Sequence, residues 1–127
     1  MVNKLEQKGL APRVAIELEF NLFKRPDDNE TVRDALPAES ETGGNLYGLS
    51  SLDEHAALFD ALKASFEMQG LPYEGVLKEA APLQYEINVA YSDDAVAYCD
   101  KIIRMQRCIR AVALRFDALA SFMPKPM

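Results

Sequence analysis

The sequence predicts an α+β domain in the order β-α-β-β-α-β with a largely antiparallel sheet, and three observations predict it. VAIELEFNLF at 14–23 and QYEINVAY at 84–91 alternate apolar and polar residues with the period of a half-buried strand. Two other stretches, around 58–66 and 99–116, repeat apolar residues at helical spacing. Short segments near Tyr73–Leu77 and Leu119–Met123 supply two further strands.

Along the chain, the first strand puts Ile16, Leu18, Phe20 and Leu22 on one face and Glu17, Glu19 and Asn21 on the other. Residues 24–44 are polar, contain two prolines and end in Gly43-Gly44. A long loop over 24–46 is expected there, of the kind that is usually functional or mobile in a compact domain. Ser51 with Glu54 reads as a capping box, and Gly70 with Pro72 as a stop, for a helix over 52–69 striped by Leu58, Phe59, Leu62 and Phe66. After the Tyr73–Leu77 strand, residues 84–91 place Tyr85, Ile87, Val89 and Tyr91 opposite Gln84, Glu86 and Asn88. Ser92, Asp93 and Asp94 open a helix running to about Arg115, with Cys99, Ile102, Ile103, Ile109, Val112, Ala113 and Phe116 on its apolar side.

Composition narrows the function. The 127 residues fit one domain able to bury roughly two-thirds of its unfolded surface. Fourteen basic against 20 acidic residues give a net charge of -6, which repels a polyphosphate backbone, so nucleic acid is not an expected partner. No apolar run reaches the roughly 18 residues of a membrane span, and MVNKLEQKGL lacks a signal-peptide core, so the expected place is the cytoplasm, away from membranes. Cys99 and Cys108 fall on opposite sides of one predicted helix, about 13 Å apart along its axis, and cannot pair. A single histidine and no CxxC argue against zinc. His55 itself reads as a first-turn helix residue.

The acids are the informative feature. Glu17 and Glu19 are held about 7 Å apart on one strand face, and Glu79 and Glu86 flank the start of the later strand. If both polar faces share one side of a sheet, four carboxylates converge and repel one another. A hard divalent cation, Mg²⁺ or Mn²⁺, resolves that repulsion. On pattern alone the alternative stays open that each polar face is merely wet.

ELEF at 17–20, EGVLKEAAPLQYE at 74–86 and FMPKP at 122–126, in that order and spacing, resemble the catalytic domain of the glutamine synthetase family. The style is similar to members that join glutamate to amines, the gamma-glutamylpolyamine synthetases. The resemblance implies one half of that family's duplicated catalytic core, with 1–127 as the N-terminal part of the domain. It implies that Glu17 helps hold the metal on the nucleotide phosphates, and that Glu19, Glu79 and Glu86 hold the metal that orients glutamate. Glu74 matches an acid that touches the nucleotide, and Tyr47 an aromatic at the cleft rim. The implied reaction is ATP-dependent amide formation: the γ-carboxylate of glutamate attacks the terminal phosphate of ATP, and ammonia or an amine displaces phosphate from the acyl phosphate.

Departures accompany the matches. Leu83 stands where the family usually has Gly, Gln106 where Lys is common and Asp117 where Gly commonly ends the helix. The chain stops before the family's glycine-rich, His-bearing segment, so a fragment without turnover of its own is expected. Such a half-domain is expected to expose apolar surface and form a homo-oligomer. The alternative is a non-catalytic assembly or regulatory module whose acids are a solvated sheet face.

Overall fold

A computed structural model describes residues 2–26, 29, 46–124 and 126. Eight elements follow one another: α1 (Val2–Glu6), β1 (Glu17–Lys24), α2 (Leu49–Glu54), α3 (Ala56–Met68), β2 (Tyr73–Lys78), β3 (Gln84–Val89), α4 (Ala95–Arg115) and β4 (Ala118–Ser121). The strands form one antiparallel sheet, as the fold class predicts, and their order in it is β2-β3-β1-β4. Most of the expected 24–46 loop lies outside the described residues.

Helices α3 and α4 cover one face of this sheet. Leu18, Phe20 and Leu22 of β1 and Tyr85, Ile87 and Val89 of β3 meet Leu58, Leu62 and Phe66 of α3 and Ile102, Met105 and Ile109 of α4 in one buried cluster. The period-two alternation of both strands therefore sends every second residue into this core and leaves the carboxylates on the opposite face. Tyr98 ties three elements together: its hydroxyl accepts from the Ile16 N–H at 3.2 Å and donates to the Val89 carbonyl at 3.5 Å.

Helix ends follow local chemistry, with one correction. The Asp94 carboxylate caps α4 by accepting from the Val96 and Ala97 N–H groups. Gly70, at φ 61°, closes α3 in a Schellman arrangement, with Leu71 N–H on the Phe66 carbonyl and Gly70 N–H on that of Glu67. The expected single helix from a Ser51 cap is instead two helices. α2 starts at Leu49 after Gly48, and the backbone breaks at His55, whose ring lies 5.7 Å from that of Tyr85.

The buried line of α4 also differs from the expected one. Tyr98, Ile102, Met105, Cys108, Ile109, Val112 and Ala113 are buried, whereas Cys99, Ile103 and Phe116 are exposed. Tyr91 is exposed too, because β3 ends at Val89, and the Arg13 guanidinium lies 4.5 Å from its ring centre. On β1, Asn21 is buried rather than wet, its amide donating to the Pro82 carbonyl at 3.2 Å.

Two of the family departures have a backbone consequence. Leu83 and Asp117 adopt φ of 54° and 55°, the left-handed region where glycine is free of the Cβ clash. Leu83→Gly is expected to raise stability by about 0.5–1 kcal/mol, relief of that clash outweighing glycine's larger unfolded entropy and the loss of a half-buried side chain. Asp117→Gly gains less, since Asp tolerates this region better. Urea midpoints of the two variants check the order; a fall for Leu83→Gly refutes it.

A carboxylate site on the open sheet face

The antiparallel register of β1 and β3 decides which acids meet. Glu19 faces Glu86 directly, and Glu17 lies two pairs further along on the same face, opposite Asn88. One ligand oxygen each from Glu17, Glu19 and Glu86 can be chosen so that all three lie within 4.8 Å of one another. Glu17 and Glu19 are exposed and Glu86 is buried, because β3 runs between β1 and β2 and Leu77 of β2 stands beside Glu86.

This placement is electrostatically costly without a counterion. Burial pushes the Glu86 carboxyl above the usual carboxylate range, and the charges of Glu17, Glu79 and Glu19 push it the same way. Glu79, on the β2–β3 turn, adds to the shift from beside the group, but the structure does not bring it within the three-carboxylate cluster. Among the described residues no Lys or Arg forms an ion pair with any of these acids. An array of hard oxygens with excess negative charge is the donor set that Mg²⁺ and Mn²⁺ take.

Two neighbours that the sequence pattern does not single out, Gln84 and Lys78, hold the acids in place. Gln84 bridges strand and turn: its Nε2 donates to Glu19 Oε2 at 2.5 Å while its Oε1 accepts from the Ala81 N–H at 3.2 Å. Lys78 is buried, and its Nζ donates to the carbonyls of Glu79 and Ala81 at 2.6 Å each, which pins the turn carrying Glu79. The sequence signal for Lys78 is a Lys directly before Glu79, and for Gln84 a Gln two residues before Glu86.

The remaining sequence candidates lie at the sheet edge. Glu74 is exposed at the irregular pairing between Tyr73 and Gly75, apart from the three-carboxylate group. Tyr47 has an exposed side chain and a φ of 58°, and its N–H donates to the Lys78 carbonyl at 2.9 Å, one residue from Glu79.

A family model described as the glutamine synthetase catalytic domain matches residues 1–127 of this sequence. The chain belongs to the glutamine synthetase family. Among curated relatives of this glutamine synthetase-family chain, the gamma-glutamylputrescine synthetase PuuA of Escherichia coli (strain K12) is 32% identical over 127 residues, covering 97% of the chain and 27% of the relative. Type-1 glutamine synthetase 1 of Dictyostelium discoideum is 31% identical, covering 98% and 26%. The glutamine synthetase-family chain thus spans about a quarter of the length of these relatives. Its fold superposes on GmaS in complex with ADP with a TM-score of 0.80 at 24% identity, covering 99% of this chain and 28% of that one. The glutamine synthetase of Plasmodium falciparum gives 0.76 at 18%, covering 99% and 29%.

Proposed function

We propose that this chain carries the glutamate-side metal site of an ATP-dependent ligase that joins glutamate to ammonia or an amine. The observation that carries the reading is the group of Glu17, Glu19 and Glu86 with Glu79 at its edge, on a chain of the glutamine synthetase family. Glu19, Glu79 and Glu86 would hold one divalent ion, Mg²⁺ or Mn²⁺, and Glu17 would help to hold a second that serves the phosphates of ATP. Such ions neutralise charge developing on the transferred phosphoryl group and fix the glutamate carboxylate for attack.

The residues of the chain divide that work. Gln84 aims Glu19, Lys78 aims the turn bearing Glu79, and the pairing of β1 with β3 sets Glu19 against Glu86. Glu74 and Tyr47, both beside β2, serve the nucleotide edge of the cleft. An amine as acceptor, in place of ammonia, is favoured by the likeness to a gamma-glutamylputrescine synthetase. The working protein is cytoplasmic and homo-oligomeric. No helix among the described residues is long and apolar enough to cross a membrane. Val96, Ile103 and Leu114, exposed at spacings of seven and eleven along α4, give another copy an apolar line to meet. Light scattering of a monomer at high concentration would remove the oligomer from this reading.

The test is a Mn²⁺ titration followed by EPR of the free ion, on the wild type and on the double variant Glu19→Ala, Glu86→Ala. Saturable binding is expected for the wild type, weakened at least about tenfold in the variant, a loss of the size seen when the support of a metal site is removed. Free Mn²⁺ in both samples refutes the metal site and leaves the acids as a solvated face of a non-catalytic module.

A further inference from the structure

The helical layer carries a feature separate from the acids. A cavity of about 450 Å³ opens between α3 and α4, with Arg104, Arg107 and Arg115 along one side and Ser65 and Gln69 across from them. Its volume is that of a small-molecule site. Cys108 and Val112, both buried, form its floor.

The charge here runs against the rest of the chain. The protein has a net charge of -6, yet among the described residues no carboxylate pairs with any of these three guanidinium groups. Arg104 reaches across the cleft, its Nη2 donating to the Gln69 carbonyl at 3.5 Å. The Gln69 amide is already engaged, with Nε2 on the Ser65 carbonyl at 3.1 Å and on Cys108 Sγ at 3.6 Å. Burial pushes the Cys108 thiol up, so the floor supplies no negative charge. The positive charge of the cleft is left for a ligand.

Spacing identifies the ligand class. Arg104 and Arg107 are three residues apart, adjacent on the helix surface, while Arg115 lies eight residues on, about 12 Å along the axis. One small anion cannot span that distance, so the cleft suits a molecule with an anionic group at each end. A dicarboxylate brings a single charge to the two-arginine end, whereas a phosphate brings up to two and the oxygens for bidentate contacts. We propose that the α3–α4 cleft binds a small bisphosphorylated molecule, with one phosphate between Arg104 and Arg107 and the other at Arg115.

Calorimetric titration of the chain with fructose bisphosphate, in EDTA to exclude divalent ions, tests this. One-site saturable binding is expected, weakened about tenfold or more in Arg107→Gln and in Arg115→Gln and unchanged in the double variant Glu19→Ala, Glu86→Ala. Ala111→Glu, which places a negative charge on the cleft wall at an exposed position, abolishes binding. Circular dichroism confirms that each variant is folded. Absence of saturable binding, equal binding by either arginine variant, or equally tight binding of inorganic phosphate overturns the proposal.

Discussion

Replacing Glu86 with Gln is expected to stabilise the metal-free protein and, at the same time, to abolish its response to Mg²⁺ or Mn²⁺. Glu86 is 6% exposed and surrounded by Glu17, Glu19 and Glu79, so its ionised form is desolvated and repelled in the folded state. Its folded pKa lies above the unfolded one. The associated stability is therefore present below the ordinary carboxylate range and is lost as pH rises through the raised value. A neutral amide of the same shape escapes that loss. The gain at pH 8 is expected to be roughly 0.5–2 kcal/mol, typical of relieving a site kept for function.

The two effects have opposite signs, which makes the variant diagnostic. In the wild type, saturating Mn²⁺ is expected to raise the melting temperature, as a ligand that binds only the folded chain does, and the rise is expected to grow as pH increases and Glu86 ionises. In Glu86→Gln the metal-free melting temperature is higher and varies less between pH 5 and pH 8, with no further rise on adding the ion. Thermal melts at the two pH values, with and without Mn²⁺, check both halves. A metal-free variant less stable than the wild type at pH 8 shows that the carboxylate makes a net favourable contact, and the reading of an electrostatically stressed site fails.

The sheet was more legible in the sequence than the helices. Period two is a strong constraint: once Leu18, Phe20, Tyr85 and Ile87 are assigned to a core, Glu17, Glu19 and Glu86 have to stand on the other side. That Glu19 meets Glu86, rather than Gln84 or Asn88, depends on register. Register is fixed by pairings remote in sequence, such as the Leu22 N–H on the Leu83 carbonyl. Single-strand periodicity carries no information about it. The irregular pairing at Tyr73/Gly75 that leaves Glu74 exposed has the same origin.

Helix α4 misleads for a different reason. Apolar side chains occur around most of its circumference, with Val96, Ile103 and Leu114 exposed as well as the buried set, so apolar spacing does not single out a face. The deciding residue is Tyr98, whose hydroxyl finds partners on β3 and ahead of β1 and so can be buried. The Ser51 capping box fails similarly. Its serine and glutamate lie inside and at the end of α2, and the break comes at His55, where the ring packs against Phe59 and Tyr85. Those aromatic contacts are tertiary, and a local cap motif cannot anticipate them.

Tyr85→Ala is expected to be among the most damaging single changes, costing about 3–5 kcal/mol, the range for truncating a buried aromatic. Tyr85 is 1% exposed, its ring lies 5.0 Å from that of Phe59 and 6.3 Å from that of Phe20, and the Lys78 Nζ is 5.6 Å from its ring centre. It stands on the core face of β3 between Gln84 and Glu86, so loosening it disturbs the residues that aim Glu19 and complete the carboxylate group. A loss of Mn²⁺ affinity is therefore expected along with the loss of stability, although Tyr85 points away from the acids. Tyr85→Phe separates packing from polarity. The hydroxyl donates to the Ser51 carbonyl at 3.3 Å, a single neutral hydrogen bond whose removal costs about 1 kcal/mol. Burial, with the charge of Glu54 adding, pushes the phenol pKa up to about 12. Being raised in the folded state, it contributes stability that is present below pH 10 and lost between pH 10 and about 12. In Tyr85→Phe that part of the alkaline loss disappears while Mn²⁺ affinity stays near wild type. Denaturant curves across this pH range, paired with Mn²⁺ titrations of both variants at neutral pH, decide the matter. If Tyr85→Ala keeps full Mn²⁺ affinity while losing stability, the two faces of the sheet are mechanically independent, and the carboxylates owe their positions to Gln84, Lys78 and the β1–β3 pairing alone.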